Sequence, residues 1–202
     1  MKLRHADLET FRANPKAYVA QMRAAKHFRQ SMYRYWQLAV RAFHKEGLGV
    51  SVAIERLEDS LRSHFAQNKV NERRIEDFSG QLARYIASFN TLGVVPVDIQ
   101  PQLNMPLDET RYLTGEIARV DLIPSSSGYG VYVFLRGDGD WRRELRFPLL
   151  QAHFADEYAC SLQEVRVGVY SVDRGVHEHF TYPLRDVDAA MAEIRGLLRR
   201  IK

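Results

Sequence analysis

Two acidic residues in the stretch "GEIARVDLI", residues 115–123, have side chains that could hold a divalent cation. Glu116 and Asp121 supply carboxylate oxygens, the ligands that Mg²⁺ and Mn²⁺ prefer. Their positions differ by an odd number, so on one regular strand they point to opposite faces and share an ion only if a bulge intervenes. Asp138 and Asp140 follow in "RGDGDW", where they are more simply explained as turn formers. A metal-dependent site on these carboxylates is therefore an alternative that the spacing does not favour.

Two other groups carry metal-ligating or nucleophilic atoms. His177 and His179 share one strand face, but a zinc site takes three or four ligands and no third is evident nearby. We interpret them as an exposed edge-strand face beside a turn at Gly175. Cys160 is the only cysteine, which excludes a disulfide within the chain, and no activating residues stand beside it. Neither group predicts catalysis.

A basic and aromatic segment, "HFRQSMYRYWQLAVR", has two interpretations. If Arg29, Arg34 and Arg41 line a groove, they hold phosphates while Tyr33 stacks on a base. If the aromatic side chains pack inward and the arginines are solvated, the segment is an ordinary amphipathic helix. The formal net charge of +4 is compatible with a polyanionic partner but does not require one.

The elements that position these residues divide the chain into two parts. Residues 1–93 are predicted to be helical, with three helices upstream of any strand. Their apolar residues recur at intervals of three and four, which places them on one helical face. The helices are predicted over "FRQSMYRYWQLAVRAFHKEG", ending at Gly47, over "VAIERLEDSLRSHF", and over "RRIEDFSGQLARYIASFNTLG", ending before Gly93.

Residues 94–202 are predicted to form the core of a mixed sheet. Extended segments occur at "VDIQPQLNMPL", "RYLTGEIARVDLI", "YGVYVFLR" and "WRRELRF", and "RGDGDW" predicts an antiparallel hairpin between the last two. A helix in "PLLQAHFADEYACS", two strands in "EVRVGVYSV" and "VHEHFTY", and a final helix follow. The predicted fold is therefore α/β (α+β), a mixed sheet flanked by helices in one compact domain.

Composition excludes several classes of protein. The 202 residues contain 46% hydrophobic and 27% charged residues, as an ordinary globular domain does. No apolar run approaches the roughly 20 residues of a membrane span, and "MKLRHADLETF" lacks the apolar core of a signal peptide. We expect a cytoplasmic protein with no membrane association.

Four motifs occur in an order that resembles a known family. "LETFRANPKAY" carries Asn14 and Pro15 where that family has a small pair before a basic residue and a tyrosine. "LTGEIARVDLI" resembles its glycine-led strand, and "GYGVYVFLRG" resembles its next strand. "PLLQAHFADEY" followed by "EVRVGVYSVDRG" resembles its helix with a glutamine and a tyrosine and the strand after it. The chain thus resembles the RecB-type branch of the PD-(D/E)XK nuclease superfamily, including a restriction-endonuclease-like sheet.

The resemblance puts apolar residues where the family has its catalytic groups. Ala118, three residues after Gly115, stands in place of a metal-ligating aspartate, and Val133 and Leu135 stand in place of the acid and the lysine of the next strand. These side chains offer no oxygen to a metal ion. Val133 and Leu135 continue the alternation of Val131, as in a strand retained for packing.

The resemblance retains only the residues that help position DNA or the metal site. These are Gln151 and Tyr158, whereas the family's histidine on the upstream helix would fall near Trp36. The resemblance therefore implies a catalytically inactive protein without a cofactor. It would bind DNA or act as a scaffold beside a helicase, nuclease or prokaryotic defence partner. Two alternatives stay open: an active Mg- or Mn-dependent nuclease using Glu116 and Asp121, and a pure protein-interaction module.

Overall fold

The computed structural model describes residues 1–23, 31–137 and 139–201. Seven α-helices lie within these ranges. They are α1 (Leu8–Ala13), α2 (Pro15–Arg23), α3 (Met32–Glu46), α4 (Val50–His64), α5 (Lys69–Asn90), α6 (Arg146–Glu157) and α7 (Leu184–Arg199). None of the helices in the described ranges has both the length and the apolar character that crossing a membrane requires.

Eight β-strands lie within the same ranges. They are β1 (Lys2–Arg4), β2 (Val95–Ile99), β3 (Gln102–Pro106), β4 (Tyr112–Glu116), β5 (Arg119–Ile123), β6 (Gly128–Leu135), β7 (Val165–Ser171) and β8 (Val176–Phe180). Five of them form one sheet in the order β2-β5-β6-β7-β8, and three form a second sheet in the order β1-β4-β3.

The larger sheet is mixed. β6 and β7 are parallel, and the chain between them includes α6 as the crossover that a parallel pair needs. The pairs β2/β5, β5/β6 and β7/β8 are antiparallel. The predicted α+β fold with a mixed sheet flanked by helices is confirmed.

Two hydrophobic cores lie on opposite faces of the larger sheet. Val167 and Val169 of β7 pack into a core with α6 and α7, whereas Tyr170 and Val172 pack into a core with α3, α4 and α5. Alternate residues of a strand point to opposite faces, so β7 contributes to both cores. The helices α3, α4 and α5 therefore cover one face, and α1, α2, α6 and α7 pack into the core on the other.

The three helices predicted from apolar periodicity are confirmed as α3, α4 and α5. Ser31 caps α3 by accepting a hydrogen bond from the Arg34 amide at 3.3 Å, and Gly47 ends it in the left-handed conformation at φ 62°. Asn68 caps α5 by accepting from the amides of Val70 and Asn71. Local capping chemistry thus agrees with the apolar pattern at these ends.

The start of the chain differs from the prediction. The strand β1 and two short helices precede α3, so the expectation that three helices stand upstream of any strand is wrong. β1 pairs in parallel with β4, more than a hundred residues away, and local periodicity cannot show such a pairing. α1 and α2 are separated at Asn14, whose φ of −151° is extended because Pro15 follows it.

The predicted hairpin around "RGDGDW" is also wrong. "WRRELRF" forms a 3-10 turn over Trp141–Arg143 and then the first residues of α6. Trp141, Leu145 and Phe147 are all buried, so the apolar residues that suggested a strand serve a turn and a helix start. β6 instead pairs with β5 and β7.

Candidate functional site

A cleft of about 310 Å³ opens where β5 leaves β6. The ladder between these strands ends at Arg119 and Tyr132, with the Ala118 amide donating to the Tyr132 carbonyl at 3.0 Å. Before Ala118 the chain belongs to β4 in the other sheet. Val133 and Phe134 of β6 are thereby left to line the cleft together with Ala118.

The polar side chains of the cleft come from distant parts of the chain. Arg4 is the last residue of β1, Arg34 lies in the first turn of α3, and Arg146 is the first residue of α6. Glu116, at the end of β4, adds a carboxylate. These four lining side chains carry three positive charges and one negative charge, so their formal sum is +2.

Each arginine of the cleft has a carboxylate partner. Arg34 Nη1 donates to Glu116 Oε1 at 2.8 Å, and its side chain is 37% exposed. Arg4 Nε donates to Asp7 Oδ2 at 2.6 Å. Arg146 Nε lies 2.7 Å from Glu144 Oε2, outside hydrogen-bond geometry. Only the partner of Arg34 lines the cleft itself, so an anion there would compete with Glu116 for that guanidinium.

A buried histidine forms part of the cleft wall. His5 is 6% exposed, and its Nε2 donates to the Glu116 carbonyl at 3.1 Å. Its Nδ1 is then an acceptor, and it has no partner among the described residues. Burial, assisted by the Arg146 charge, lowers the pKa of His5 to about 4, so the imidazole is neutral at pH 7.

Gly115 permits the close approach of His5 to β4. A Cβ at Gly115 would lie 2.5 Å from His5 Cδ2, and the glycine has φ +140°. A larger residue at this position would therefore be strained, both by the contact with His5 and by the backbone conformation. The glycine is therefore a condition for the cleft geometry.

The positions that the resemblance assigns to lost ligands are apolar and buried. Ala118 and Val133, 7% and 3% exposed, line the cleft. Leu135 is partly buried against the core that contains Val131 and Val133. The expectation that Val133 and Leu135 continue the packing of Val131 is confirmed.

The alternative carboxylates are not brought together. Glu116 ends β4 and Asp121 lies in β5, so they belong to different sheets, and the comparison of faces on one strand does not apply. Asp121 has no exposed surface and accepts from Arg119 Nε at 2.6 and 2.8 Å. Asp140 is bound by Arg143 at 3.0 Å, and Asp138 lies outside the described residues. Within the ranges that the structure describes, no three His, Cys, Asp or Glu side chains gather as metal ligands.

The sequence did not reveal a buried polar network around Arg119. This arginine is 1% exposed and donates from Nη1 to the Tyr85 hydroxyl, which in turn hydrogen-bonds to His44 Nε2 at 2.6 Å. Its guanidinium carbon lies 4.6 Å from the centre of the Phe89 ring. Burial raises the pKa of Asp121, although the Arg119 charge opposes that rise. The network joins β5 to α3 and α5.

His177 belongs to the same network, which corrects the interpretation of "HEH" as an exposed face. β8 is an edge strand, as predicted, and His179 is exposed. His177, however, is half-buried, with Nδ1 2.8 Å from the Ser88 hydroxyl. Burial and Arg119 lower the pKa of His177 to about 3. Its role in this structure is packing and hydrogen bonding beneath α5.

The predicted basic and aromatic residues of α3 have different surroundings. Arg34 lies in the cleft, and Arg41, seven positions on, is exposed on the same side of α3. Tyr33 stacks on Trp36 with ring centres 5.7 Å apart, and the guanidinium of Arg136 lies 5.3 Å from the Tyr33 ring centre. Arg29 lies outside the described residues.

Gln151 and Tyr158 lie on the other side of the larger sheet. Gln151 has no exposed surface, and its amide makes three hydrogen bonds to the backbone of Leu162 and Tyr182. Tyr158 stacks on Tyr129 with ring centres 4.3 Å apart. The structure therefore brings Arg34 and Tyr33 together but keeps these two residues away from them.

His5, Arg4 and Arg146 were not identified from the sequence. Each stands in an unremarkable local context, and only the pairing of β1 with β4 and the position of α6 bring them to one cleft. Gly115 was the available signal, because a strand glycine often marks the close approach of another group.

The chain matches no known protein family, and it matches none of the curated proteins. The geometry of the cleft and the resemblance in the motifs are thus the grounds for a functional argument.

Proposed function

We propose that the protein is a catalytically inactive, RecB-like nuclease-fold protein that binds the phosphate backbone of DNA through this cleft. It would serve as a DNA-binding or scaffolding subunit of a DNA-processing or defence complex, beside a helicase or nuclease. One observation carries the proposal: arginines surround Ala118 and Val133 at the position where the resemblance expects metal ligands.

The cleft has the chemistry of a phosphate site. A guanidinium presents several N–H donors in a plane and binds phosphate oxygens in a bidentate manner. Arg41 and Lys45 extend the positive charge of Arg34 along the exposed side of α3. At a rise of about 1.5 Å per residue, Arg34 and Arg41 are roughly 10 Å apart along the helix. A strand leaving the cleft would meet further positive charge.

The same cleft is poorly suited to hydrolysis. A phosphodiester is cleaved by a metal ion that polarises the phosphate and activates water. Ala118 and Val133 provide no ligand, and the Glu116 carboxylate is held by Arg34. These features favour binding without cleavage over the metal-dependent alternative.

Salt-dependent DNA binding tests the proposal. We expect the dissociation constant for a labelled oligonucleotide, measured by fluorescence anisotropy, to rise steeply with salt, because phosphate contacts release counterions. Arg34→Glu/Arg41→Glu should abolish binding. Arg185→Glu/Arg195→Glu, on exposed positions of α7, makes the same change of charge on the other side of the sheet and should weaken binding far less. Absence of binding at low salt would leave the protein-interaction module as the better explanation.

Incubation with DNA and a metal ion tests the lack of catalysis. We expect single- and double-stranded DNA to remain intact with Mg²⁺ or Mn²⁺. Cleavage that stops on chelation, and with Glu116→Ala in a variant that stays folded, would instead establish an active nuclease with relocated ligands.

A further inference from the structure

A second depression of about 450 Å³ lies beside the cleft. It is lined by the first residues of α3, by Phe65 after α4, by one side of α5 and by Arg136 after β6. Tyr33 lines both this pocket and the cleft, so the two are adjacent. A molecule that extends from one into the other passes Tyr33.

The walls of the pocket are largely aromatic. Tyr33, Phe65 and Phe78 are half-buried, and Met32 is buried beneath them. The three rings pack against the core of α3, α4 and α5, which fixes them in place. Rigid aromatic walls favour a flat ring system, because stacking combines apolar burial with a preferred parallel geometry.

Polar groups in the pocket have unused hydrogen-bonding capacity. The Gln81 Oε1 atom is buried and has no hydrogen-bond partner among the described residues. A buried acceptor without a partner is unfavourable, and a ligand N–H would satisfy it. A carboxamide also offers N–H donors, so it can match the donor and acceptor edge of a planar heterocycle.

The rim of the pocket favours an anionic ligand. Arg74 and Arg136 line it together with one acid, Asp77. Arg74 is exposed and makes no ion pair with another described residue. Arg136 is 52% exposed and reaches Asp173 only at 3.9 Å. Both guanidinium groups are therefore accessible to a phosphate or sugar next to a ring held inside.

We infer that this pocket receives an unpaired nucleobase of a nucleic-acid strand whose phosphates lie in the neighbouring cleft. The inference rests on the proposed function and names its ligand class: a single-stranded segment or strand end with one base turned into the pocket. The aromatic walls stack on the base, Gln81 hydrogen-bonds to its edge, and Tyr33 separates the base from the phosphate in the cleft.

An abasic oligonucleotide separates contacts to bases from contacts to phosphates. Two single strands of equal length are compared by fluorescence anisotropy at one low salt concentration, one with all its bases and one with tetrahydrofuran abasic residues throughout. They carry the same phosphates. We expect the abasic strand to bind at least about fivefold more weakly, as loss of base stacking on aromatic side chains implies.

Two variants locate the effect in the pocket. Phe78→Ala removes a wall and should bring the ratio of the two affinities close to one. Gln81→Leu keeps roughly the volume of the side chain but removes its polar atoms. It should lower the ratio of the two affinities toward one, and it tests the pocket even if Phe78→Ala fails to fold. Phe180→Ala, at an exposed aromatic residue of the edge strand β8, is the matched control and should keep the wild-type ratio.

The outcomes distinguish this inference from the proposed function. Equal affinity of wild type for the two strands overturns the base pocket while DNA binding through the cleft stands. No binding of either strand overturns both. A ratio that survives in both pocket variants places the base elsewhere and overturns the assignment. In a further arm, a nucleoside monophosphate that binds as tightly as the oligonucleotide would make a free nucleotide the ligand.

Discussion

Arg34 Nη1 donates to Glu116 Oε1 across 2.8 Å, and this pair places the carboxylate that lines the cleft against one of the three arginines that line it. The pair joins α3 to β4, two elements that are far apart in the sequence. It also lowers the positive charge that the cleft offers. The pair thus sets both the shape of the cleft and its affinity for anions.

Removal of the Glu116 charge should strengthen DNA binding. Glu116→Gln keeps a hydrogen-bond acceptor for Arg34 but raises the formal charge of the lining residues from +2 to +3. We expect the affinity at low salt to rise by about threefold to tenfold, on the order of 1 kcal/mol for one charged partner, and the gain to shrink as salt is added. Anisotropy titrations measure it. Unchanged or weaker binding would show that phosphate does not compete with Glu116.

Loss of Arg119 should destabilise the fold far more than loss of a surface arginine. Arg119→Met leaves the Asp121 carboxylate buried without its partner, so we expect unfolding to require about 3–5 kcal/mol less free energy. Arg119→Met/Asp121→Leu should recover much of that loss. Arg56→Met removes an exposed pair with Glu46 and should cost less than about 1 kcal/mol. Urea denaturation compares them, and equal effects for Arg119 and Arg56 would contradict the role of burial.

A methyl group at Gly115 should disturb both stability and the cleft. Gly115→Ala places a Cβ against His5 and forces φ +140° on a non-glycine residue, so we expect a cost on the order of 3 kcal/mol. Gly137→Ala is the matched control, because Gly137 has φ +87° but no atom within 4 Å of an added Cβ. That variant should cost roughly 1–2 kcal/mol from the backbone alone. Thermal denaturation with calorimetry measures both, and a smaller effect at Gly115 would refute the contact.

Stability should fall as the pH is lowered below about 6.5, the ordinary pKa of histidine. Burial first, and Arg119 second, lower the pKa of His44 and of His177 to about 3 in the folded protein. The unfolded chain therefore binds more protons between those values, and each histidine makes unfolding easier by on the order of 2 kcal/mol at pH 5 compared with pH 7. The contribution is complete above pH 6.5 and is lost progressively below it.

His177→Gln should reduce the difference in unfolding free energy between pH 7 and pH 5 by the contribution of one histidine, on the order of 2 kcal/mol. Urea titrations at several pH values measure the slope. A His177→Gln slope equal to that of the wild type would argue against a buried neutral imidazole there.

Local patterns predicted the parts of the fold in which local and tertiary preferences agree. Trp36, Leu57 and Leu82 lie on apolar stripes with helical spacing, and each is buried in the helical core. "WRRELRF" failed because three buried side chains suggested alternation, although the chain there turns into α6. β1 was missed because its three residues form a strand only by pairing with β4, which no local sequence pattern shows.

The candidate site was only partly predictable for the same reason. Arg34 and Tyr33 were identified because the helix itself displays a basic and aromatic pattern. His5 and Arg146 acquire their surroundings from topology, so no window of sequence contains both them and Glu116. Gln151 resembled a functional glutamine, but its three backbone hydrogen bonds show a connector between α6 and the chain before α7.

The large sequence separation between the residues that form the cleft has a consequence for biosynthesis. His5 meets Glu116 over 111 residues, and Arg34 meets it over 82. Contacts of such high sequence separation form late, since the entropy of closing a long loop is lost before they contribute. A ribosome-bound chain therefore exposes Arg34 long before Glu116 and Arg146 have been synthesised. A polyanion bound by the unfinished chain would occupy Arg34 before Glu116 can pair with it.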